Sequence, residues 1–212
     1  MYPTTLINFK NNTGLQVSKM TDNQLQKITW ELSLESPDAF RPVKPRNEPS
    51  EKIHFLCVAP ACAAFNWFLF HAIGEPHRWG GREGWDRTKW SELVNKESVE
   101  TWVAYLKGTP VGYAELEHRD DGSVQILCFG LLPQFIGQGL GSVLLARTVE
   151  RAWEMGANRV WLRTCNHDHP HARPNYEARG FQLVEETIGP PNPRLTPILF
   201  TGGDTMDTTS ST

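Results

Sequence analysis

The clearest alternation of apolar and polar positions lies in the second half of the chain. Val99 to Leu106 and Val111 to Glu117 both alternate as half-buried strands do. Between them, Lys107-Gly108-Thr109-Pro110 has the composition of a hairpin turn. Asp120-Asp121-Gly122 marks a second turn, and Val124 to Leu131 reads as a third strand. This segment predicts an antiparallel meander.

An amphipathic helix is predicted from about Gly139 to Met155. Its apolar face is formed by Leu144, Leu145, Val149, Ala152 and Trp153. Its charged face, spaced for ion pairs within the helix, is formed by Arg147, Glu150, Arg151 and Glu154. Arg159 to Thr164 predicts the next strand. A strand, a helix and a strand in succession predict a right-handed parallel crossover.

The remaining elements are predicted from shorter patterns. A helix ending near Arg179, closed by Gly180, precedes a strand at Phe181 to Glu186. In the first half, strands are predicted at Ile28 to Leu34 and Ile53 to Val58. Two helices are predicted there, from Ala61 to Ile73 and from a cap at Asp86 or Thr88 through Asn95. Loops are expected at Phe40 to Ser50 and His77 to Trp85.

The turn Gly137-Gln138-Gly139-Leu140-Gly141 lies between a predicted strand and a predicted helix start. Glycine allows backbone N–H groups to approach a ligand closely, and the first N–H groups of a helix attract anions. The turn lacks the lysine and hydroxyl of a Walker loop, and Ser142 stands where the dinucleotide fingerprint needs its third glycine. A site for a phosphate-bearing ligand of another kind is predicted here.

These residues resemble the GNAT (GCN5-related) N-acetyltransferases, whose motif is Arg/Gln-x-x-Gly-x-Gly/Ala at a helix start. The family glycines align with Gly139 and Gly141, which places Ile136 at the Arg/Gln position; Gln134 fits the motif two residues earlier. A second family segment is matched by Ala172, Tyr176, Gly180 and Phe181, with His169 where an asparagine is usual. The resemblance covers roughly Val99 to Glu186.

The resemblance implies an α/β fold of the acyl-CoA N-acyltransferase type. Its central sheet is mixed, mostly antiparallel and twisted, with helices on both faces. The implied co-substrate is acetyl-CoA, and the implied reaction is direct attack of a primary amine on the thioester. A backbone N–H near Gly130 or Leu131 would polarise the carbonyl, and Tyr176 would protonate the leaving thiolate. The implied cofactor-binding residues are Phe129, Gly130, Leu131, Gly137, Gln138, Gly139, Leu140, Gly141, Ser142 and His169. The alternative is a non-catalytic acyl-CoA-binding module of the same fold.

A general base has two candidates on the meander. Glu115 and Glu117 share a strand face by the two-residue period, and either could act through a water chain. Gln125 stands where the family often has an acid, and an amide cannot act as a base. The alternative for both glutamates is an ordinary exposed strand face.

Acceptor specificity is expected to come from two loops. The first runs from Glu75 to Trp85 and contains Trp79 and Trp85. In the second, Asp168 or His169 is expected to cap the following helix, with one of these groups lining the acceptor cleft. The alternating histidines 167, 169 and 171 invite a metal site. No metal is expected, because Pro170 breaks the extended geometry and further ligands are missing.

Length and composition predict one domain. The chain has 212 residues, 39% hydrophobic residues and eight tryptophans, enough for one large core. We expect a mobile lead-in at 1–24, a single acetyltransferase domain at 25–200 and a disordered tail at 201–212.

Charge and cysteine content bear on partners and location. The net charge of −3 gives no case for nucleic acid, and the longest apolar run, Ala59 to Phe70, is too short to span a bilayer. No signal peptide is visible. Three of the four cysteines lie in apolar runs, where free thiols are usually buried, which predicts a cytoplasmic protein. The acceptor remains open among polyamine, aminoglycoside, amino acid and protein N-terminus, as does the choice between monomer and homodimer.

Overall fold

The structure is a computed structural model that describes residues 26–43 and 53–190. The expectations for the lead-in at 1–24 and the tail at 201–212 lie outside these residues, as does most of the predicted loop Phe40 to Ser50.

Seven strands form one sheet with the order β2-β3-β4-β5-β6-β1-β7. The strands are Lys27–Leu34 (β1), His54–Cys57 (β2), Val99–Leu106 (β3), Thr109–His118 (β4), Val124–Leu131 (β5), Val160–Cys165 (β6) and Gln182–Gly189 (β7). Among these strands β5 and β6 pair in parallel, and the other neighbours pair antiparallel. The predicted mixed, mostly antiparallel sheet and its parallel crossover are therefore confirmed.

Helices cover both faces of the sheet, as predicted. They are Ala63–Gly74 (α1), Arg87–Val94 (α2), Leu140–Glu154 (α3) and Ala172–Ala178 (α4). One core cluster joins α3 and α4 to one face, and a second joins α1 and α2 to the other. None of the helices in the described ranges is long and apolar enough to cross a membrane.

The α3 helix has the two faces that its sequence predicts. Its buried side chains are Leu140, Leu144, Leu145, Thr148, Val149 and Ala152, while Trp153 is only half-buried. On the solvent side, Arg147 pairs with Glu150 at 2.7 Å. Arg151 pairs with Glu154 at 3.1 Å and also with Glu100 of β3 at 2.8 Å. The second Arg151 pair ties the last turns of α3 to the sheet.

The hairpin between β3 and β4 is tighter than predicted. Lys107 and Gly108 alone form the turn, with φ of 51° and 80°, and Thr109 and Pro110 already belong to β4. Two residues with positive φ suit the twist of paired strands. Pro110 lies opposite Tyr105, next to a register shift in the β3–β4 ladder, and irregular positions of this kind are where a strand tolerates proline.

The position of β1 is the main feature of the sheet that the sequence did not predict. This strand comes first in the described chain, yet it lies between β6 and β7 and pairs antiparallel with both. As a result β7 runs parallel to β6 without pairing with it. Leu32 and Leu34 of β1 are almost fully buried in the core beneath α3 and α4. The N-terminal strand therefore completes the α3–α4 side of the core.

The cysteines differ from expectation in their burial. Cys128 is buried and Cys165 half-buried, but Cys57 and Cys62 are exposed. The prediction of burial was wrong for these two because β2 is an edge strand and Cys62 lies in the exposed connection before α1. All four are free thiols.

We predict that Gly180→Ala destabilises the fold by about 3 kcal/mol, measured by chemical denaturation. Gly180 closes α4 with φ of 98°, and a Cβ there would lie 2.0 Å from the carbonyl oxygen of Ala39. The matched control is Gly156→Ala, which has φ of 84° and no atom within 4 Å of the added Cβ. We expect Gly156→Ala to lose only about 1 kcal/mol of unfolding free energy, because a Cβ at positive φ strains the backbone but meets no neighbouring atom. Equal losses in the two variants would contradict the close contact at Ala39.

Candidate active site

The site is built on the separation of two parallel strands. β5 and β6 pair over only three positions, Val124 with Val160, Gln125 with Trp161 and Ile126 with Leu162. Both strands continue beyond this point without pairing to each other. A bulge contributes to the separation, because Leu127 is an extra residue in β5 opposite β4. The facing edges of β5 and β6 thus carry backbone N–H and C=O groups that the other strand does not satisfy.

A cavity of about 760 Å³ opens at this separation. Most of the residues singled out from the sequence line it: Trp79, Trp85, Glu117, Phe129, Gly130, Leu131, Gly137, Gly139, Gly141, Ser142, Asp168, His169 and Tyr176. Glu115, Gln138 and Leu140 do not. Leu140 packs into the core in the first turn of α3, and the Gln138 amide donates to the carbonyl of Gln134 at 2.9 Å.

The glycine-rich turn lies where the sequence predicts it, between the end of β5 and the start of α3. Gly137 and Gly139 have φ of 83° and 79°, a conformation that side chains with a Cβ rarely adopt. Gly139 immediately precedes α3, so the unpaired N–H groups of the first helical turn follow it directly. Ile136, at the family's Arg/Gln position, is exposed and lines the cavity. The turn can therefore present backbone donors to an anionic group.

Tyr176 lies on α4 and is 7% exposed. Its ring packs against Phe129 of β5 and Phe181, with centroids 6.1 and 5.8 Å away. Burial raises the pKa of Tyr176 well above its ordinary value, and the nearby carboxylate of Asp168 raises it further. The hydroxyl consequently remains protonated at neutral and moderately alkaline pH, as a proton donor must be.

Asp168 connects the two loops that were expected to shape the acceptor site. Its carboxylate accepts hydrogen bonds from Thr164 Oγ1 at 2.6 Å, from the Cys165 N–H at 3.1 Å and from Trp79 Nε1 at 3.1 Å. It does not cap α4, whose N-cap residue is His171, so that expectation was wrong for Asp168. His169 is close to the helix start, where its Nδ1 accepts from the His171 N–H at 3.3 Å.

The histidines form a loose aromatic group at the cavity rim. The His169 ring lies 6.1 Å from His77 and 5.3 Å from His171, centroid to centroid. Within residues 26–43 and 53–190, no three His, Cys, Asp or Glu side chains are placed to hold a metal ion. The pKa of His167 is lowered from its ordinary value, first by burial and then by the charges of Arg78 and Lys27.

Glu115 is fully buried and forms an ion pair with Arg82. It also accepts a hydrogen bond from Asn66 Nδ2 at 2.7 Å. The Arg82 guanidinium lies 4.9 Å from the ring centroid of Phe70 and 5.0 Å from that of Trp90, which is cation–π distance. This cluster fixes the loop after α1 to the sheet. Sequence analysis missed it, although an asparagine within the apolar run of α1 was a signal of a buried polar partner.

Glu117 is the second glutamate of the pair, and it does line the cavity. It is 7% exposed, so the alternative of an exposed strand face was wrong for both glutamates. Glu117 Oε1 lies 3.3 Å from Lys96 Nζ, and Oε2 lies 2.9 Å from Arg119 Nη1. Arg119 also donates to the side chain of Gln125. The α1–α2 side of the sheet is covered here by helix and loop, which sequence periodicity alone could not show.

Comparisons with known proteins agree with this architecture. Residues 66–181 match the family model described as the Acetyltransferase (GNAT) family. An uncharacterized N-acetyltransferase from Mycobacterium tuberculosis is 36% identical over 95 residues, which is 45% of this chain and 60% of that protein. The match thus spans less than two thirds of the relative's length.

Solved structures support the fold. A GCN5-related N-acetyltransferase from Sphaerobacter thermophilus superposes with a TM-score of 0.56 at 16% identity, covering 79% of this chain and 52% of that one. A GCN5-related N-acetyltransferase from Kribbella flavida superposes with a TM-score of 0.54 at 19% identity, covering 79% of this chain and 60% of that one. At these identities the likeness concerns the fold alone. Because the family model covers more than half of the residues, the chain belongs to the GNAT acetyltransferase family.

Proposed function

We propose that this protein is an N-acetyltransferase that moves an acetyl group from acetyl-CoA to a primary amine. The observation that carries the proposal is the separation of β5 from β6, which ends at the glycine-rich turn and is flanked by Tyr176. The expected co-substrate fits these groups. Its phosphates are suited to the N–H groups at the start of α3, and its extended amide-containing arm to an unpaired strand edge.

Tyr176 is the proposed general acid. The thioester supplies an activated acyl group, and the amine attack leaves a thiolate that needs a proton. Burial keeps the Tyr176 hydroxyl protonated, so a proton donor is present where the thiolate leaves. Backbone N–H groups near Gly130 and Leu131, on the cavity side of β5, would polarise the carbonyl as a preorganised oxyanion site.

Of the two glutamates, we propose that Glu117 receives the amine proton, through water. Glu117 lines the cavity, whereas Glu115 lies outside it and is committed to Arg82 and Asn66. Glu115 then has a structural role: it neutralises a buried guanidinium and so holds the loop that contains Trp79 and Trp85. Breaking such a buried pair is strongly destabilising.

Donor binding is tested first by replacing Gly139. We expect the wild type to bind acetyl-CoA with roughly micromolar affinity in calorimetric titration, and Gly139→Asp to weaken this at least about tenfold. The aspartate would place a negative charge beside the helix start. Gly139→Asn is the matched control, since it has the same shape and φ of 79° but no charge. No binding by the wild type would refute the donor site, and equal losses in both variants would show a steric rather than an electrostatic cause.

Catalysis is tested with Tyr176→Phe. We expect kcat to fall about 10²–10⁴-fold while the affinity for acetyl-CoA stays within a factor of about two, because the ring packing is kept and only the proton donor is lost. The assay is release of free CoA thiol with an amine substrate. Tyr105→Phe, which removes a hydroxyl outside the cavity, is the control. Full activity in Tyr176→Phe, or a wild type that binds acetyl-CoA without releasing thiol, would favour the non-catalytic binding module.

The pH profile gives an independent test of the same role. Because burial and Asp168 raise the pKa of Tyr176 above its ordinary value, the acid form persists across roughly pH 7 to 9.5. We therefore expect kcat not to decline on the alkaline side of this range. A decline in the wild type that is absent from the residual activity of Tyr176→Phe would show that the tyrosine loses its proton there, contrary to the proposal.

A further inference from the structure

The indole of Trp79 is wedged between the end of α1 and the backbone of β5. A Cβ built on Gly74 would lie 2.6 Å from Cδ2 and Cε3 of the indole, which leaves no room for a side chain there. A Cβ built on Gly130 would lie 3.5 Å from Cζ2 and Cη2. The indole therefore extends from α1 to Gly130, where the backbone N–H groups that are proposed to polarise the thioester begin.

Asp168 is bound to the nitrogen of the same indole. Nε1 of Trp79 donates to Oδ1 of Asp168 at 3.1 Å, so the carboxylate lies about one indole ring away from the backbone of Gly130. The charge of Asp168 also reaches α4, where it adds to burial in raising the pKa of Tyr176. The carboxylate is thus close to both groups that act on the thioester in the proposed reaction.

One oxygen of Asp168 keeps the capacity to bind a ligand. Oδ2 accepts two hydrogen bonds, from Thr164 Oγ1 at 2.6 Å and from the Cys165 N–H at 3.1 Å. Oδ1 accepts the hydrogen bond from Trp79. Because a carboxylate oxygen can accept two hydrogen bonds, a cation in the cavity can supply the second one to Oδ1. The three donors are an indole, a hydroxyl and a backbone amide, which orient the carboxylate but carry no full positive charge.

The other carboxylate that lines the cavity, within the described residues, is placed differently. Glu117 lies 3.3 Å from Lys96 Nζ and 2.9 Å from Arg119 Nη1. It also lies beside the start of β5, whereas Gly130 lies near the end of this strand. A cationic ligand at Glu117 would compete with two protein cations and would be distant from the thioester. Of the two carboxylates, Asp168 is therefore the one suited to hold a cation beside the reacting atoms.

One nitrogen atom can contact Asp168 and attack the thioester. A hydrogen bond from an ammonium group to a carboxylate spans about 2.8 Å. A nucleophile in position for attack lies about 3–3.5 Å from the carbonyl carbon. Together these distances are comparable with the length of the indole ring that separates Asp168 from Gly130. A nitrogen bound to Asp168 can therefore reach a carbonyl carbon held at Gly130.

We propose that Asp168, oriented by Trp79, binds the acceptor amine in its ammonium form, and that the acceptor is accordingly a basic alkylamine. The inference rests on the proposed acetyltransferase function and names the class of its acceptor. Arylamines, which are uncharged at neutral pH, are then poor acceptors. Asp168 positions the amine and leaves the chemistry unchanged. The amine proton leaves through water to Glu117, a C–N bond forms as the C–S bond breaks, and the thiolate takes the proton of Tyr176.

The test in the wild type compares an amine with its own alcohol. Spermidine, kanamycin, glycinamide and a short peptide with a free N-terminus are assayed by release of CoA thiol at saturating acetyl-CoA, with aniline as the uncharged amine. The best alkylamine is then compared with the analogue that has a hydroxyl in place of the reacting amine, used as a competitive inhibitor. We expect the inhibition constant of the alcohol to exceed KM of the amine by about tenfold or more, because the charge-assisted hydrogen bond is lost. An alcohol that binds as well as the amine, or aniline as the best acceptor, would overturn the inference.

Asp168→Asn tests the named residue. We expect it to raise KM for the amine about tenfold or more, while the inhibition constant of the alcohol and the affinity for acetyl-CoA stay within a factor of about two. Equal losses for amine and alcohol would show a merely structural role and would refute ammonium binding. The matched control is Asp121→Asn. Asp121 also accepts from a hydroxyl and a backbone N–H, both of Ser123, at 2.6 and 2.9 Å, but it does not line the cavity.

Failure of the inference can be separated from failure of the proposed function. If an alkylamine is turned over and Asp168→Asn has no selective effect on it, the inference is wrong and the acetyltransferase function stands. If acetyl-CoA does not bind, or binds without thiol release in the presence of any of the amines, the proposed function itself fails.

Discussion

The structure depends on one limit in the sheet: β5 and β6 are hydrogen-bonded over three positions and then separate. A fully paired crossover would bury both strand edges and leave no opening between them. The bulge at Leu127 and the close packing of Phe129 against Tyr176 maintain the separation from the β5 side. Everything assigned to the site, from the glycine-rich turn to the histidines, is arranged around this gap.

The gap would collapse or widen if its walls were not fixed. Two polar contacts fix them: the buried ion pair of Arg82 with Glu115, and the half-buried hydrogen bond from Trp79 to Asp168. Both join the loop after α1 to the sheet or to the end of β6. A buried ion pair is a weak source of net stability but a strong constraint on geometry, because neither partner can be moved alone without leaving a buried charge. The aromatic rings around Arg82 restrict it further.

Local pattern was sufficient for most of the second half of the chain. Strands β3, β4 and β5 and helix α3 follow from periods of two and 3.6 residues, and the motif at Gly139 and Gly141 gave the family. The placement of β1 between β6 and β7 was not predictable, since pairing across more than a hundred residues leaves no local signal. The period also showed that Glu115 and Glu117 share a face. It could not show that Glu115 is buried against Arg82 while Glu117 lines the cavity.

The difference between local pattern and long-range contact also explains why the proposed donor site is easier to predict from sequence than the acceptor site. Donor recognition relies on backbone N–H groups, which require glycines at fixed spacing and so leave a motif. The rest of the cavity is lined by side chains from several elements, among them Lys96 after α2, Arg119 after β4 and Arg163 on β6, and such a set leaves no motif. The net charge of the whole chain, −3, does not show which charges come together in the fold. Local sequence pattern cannot predict such a wall, because only the fold brings Lys96 and Arg119 to the same cavity.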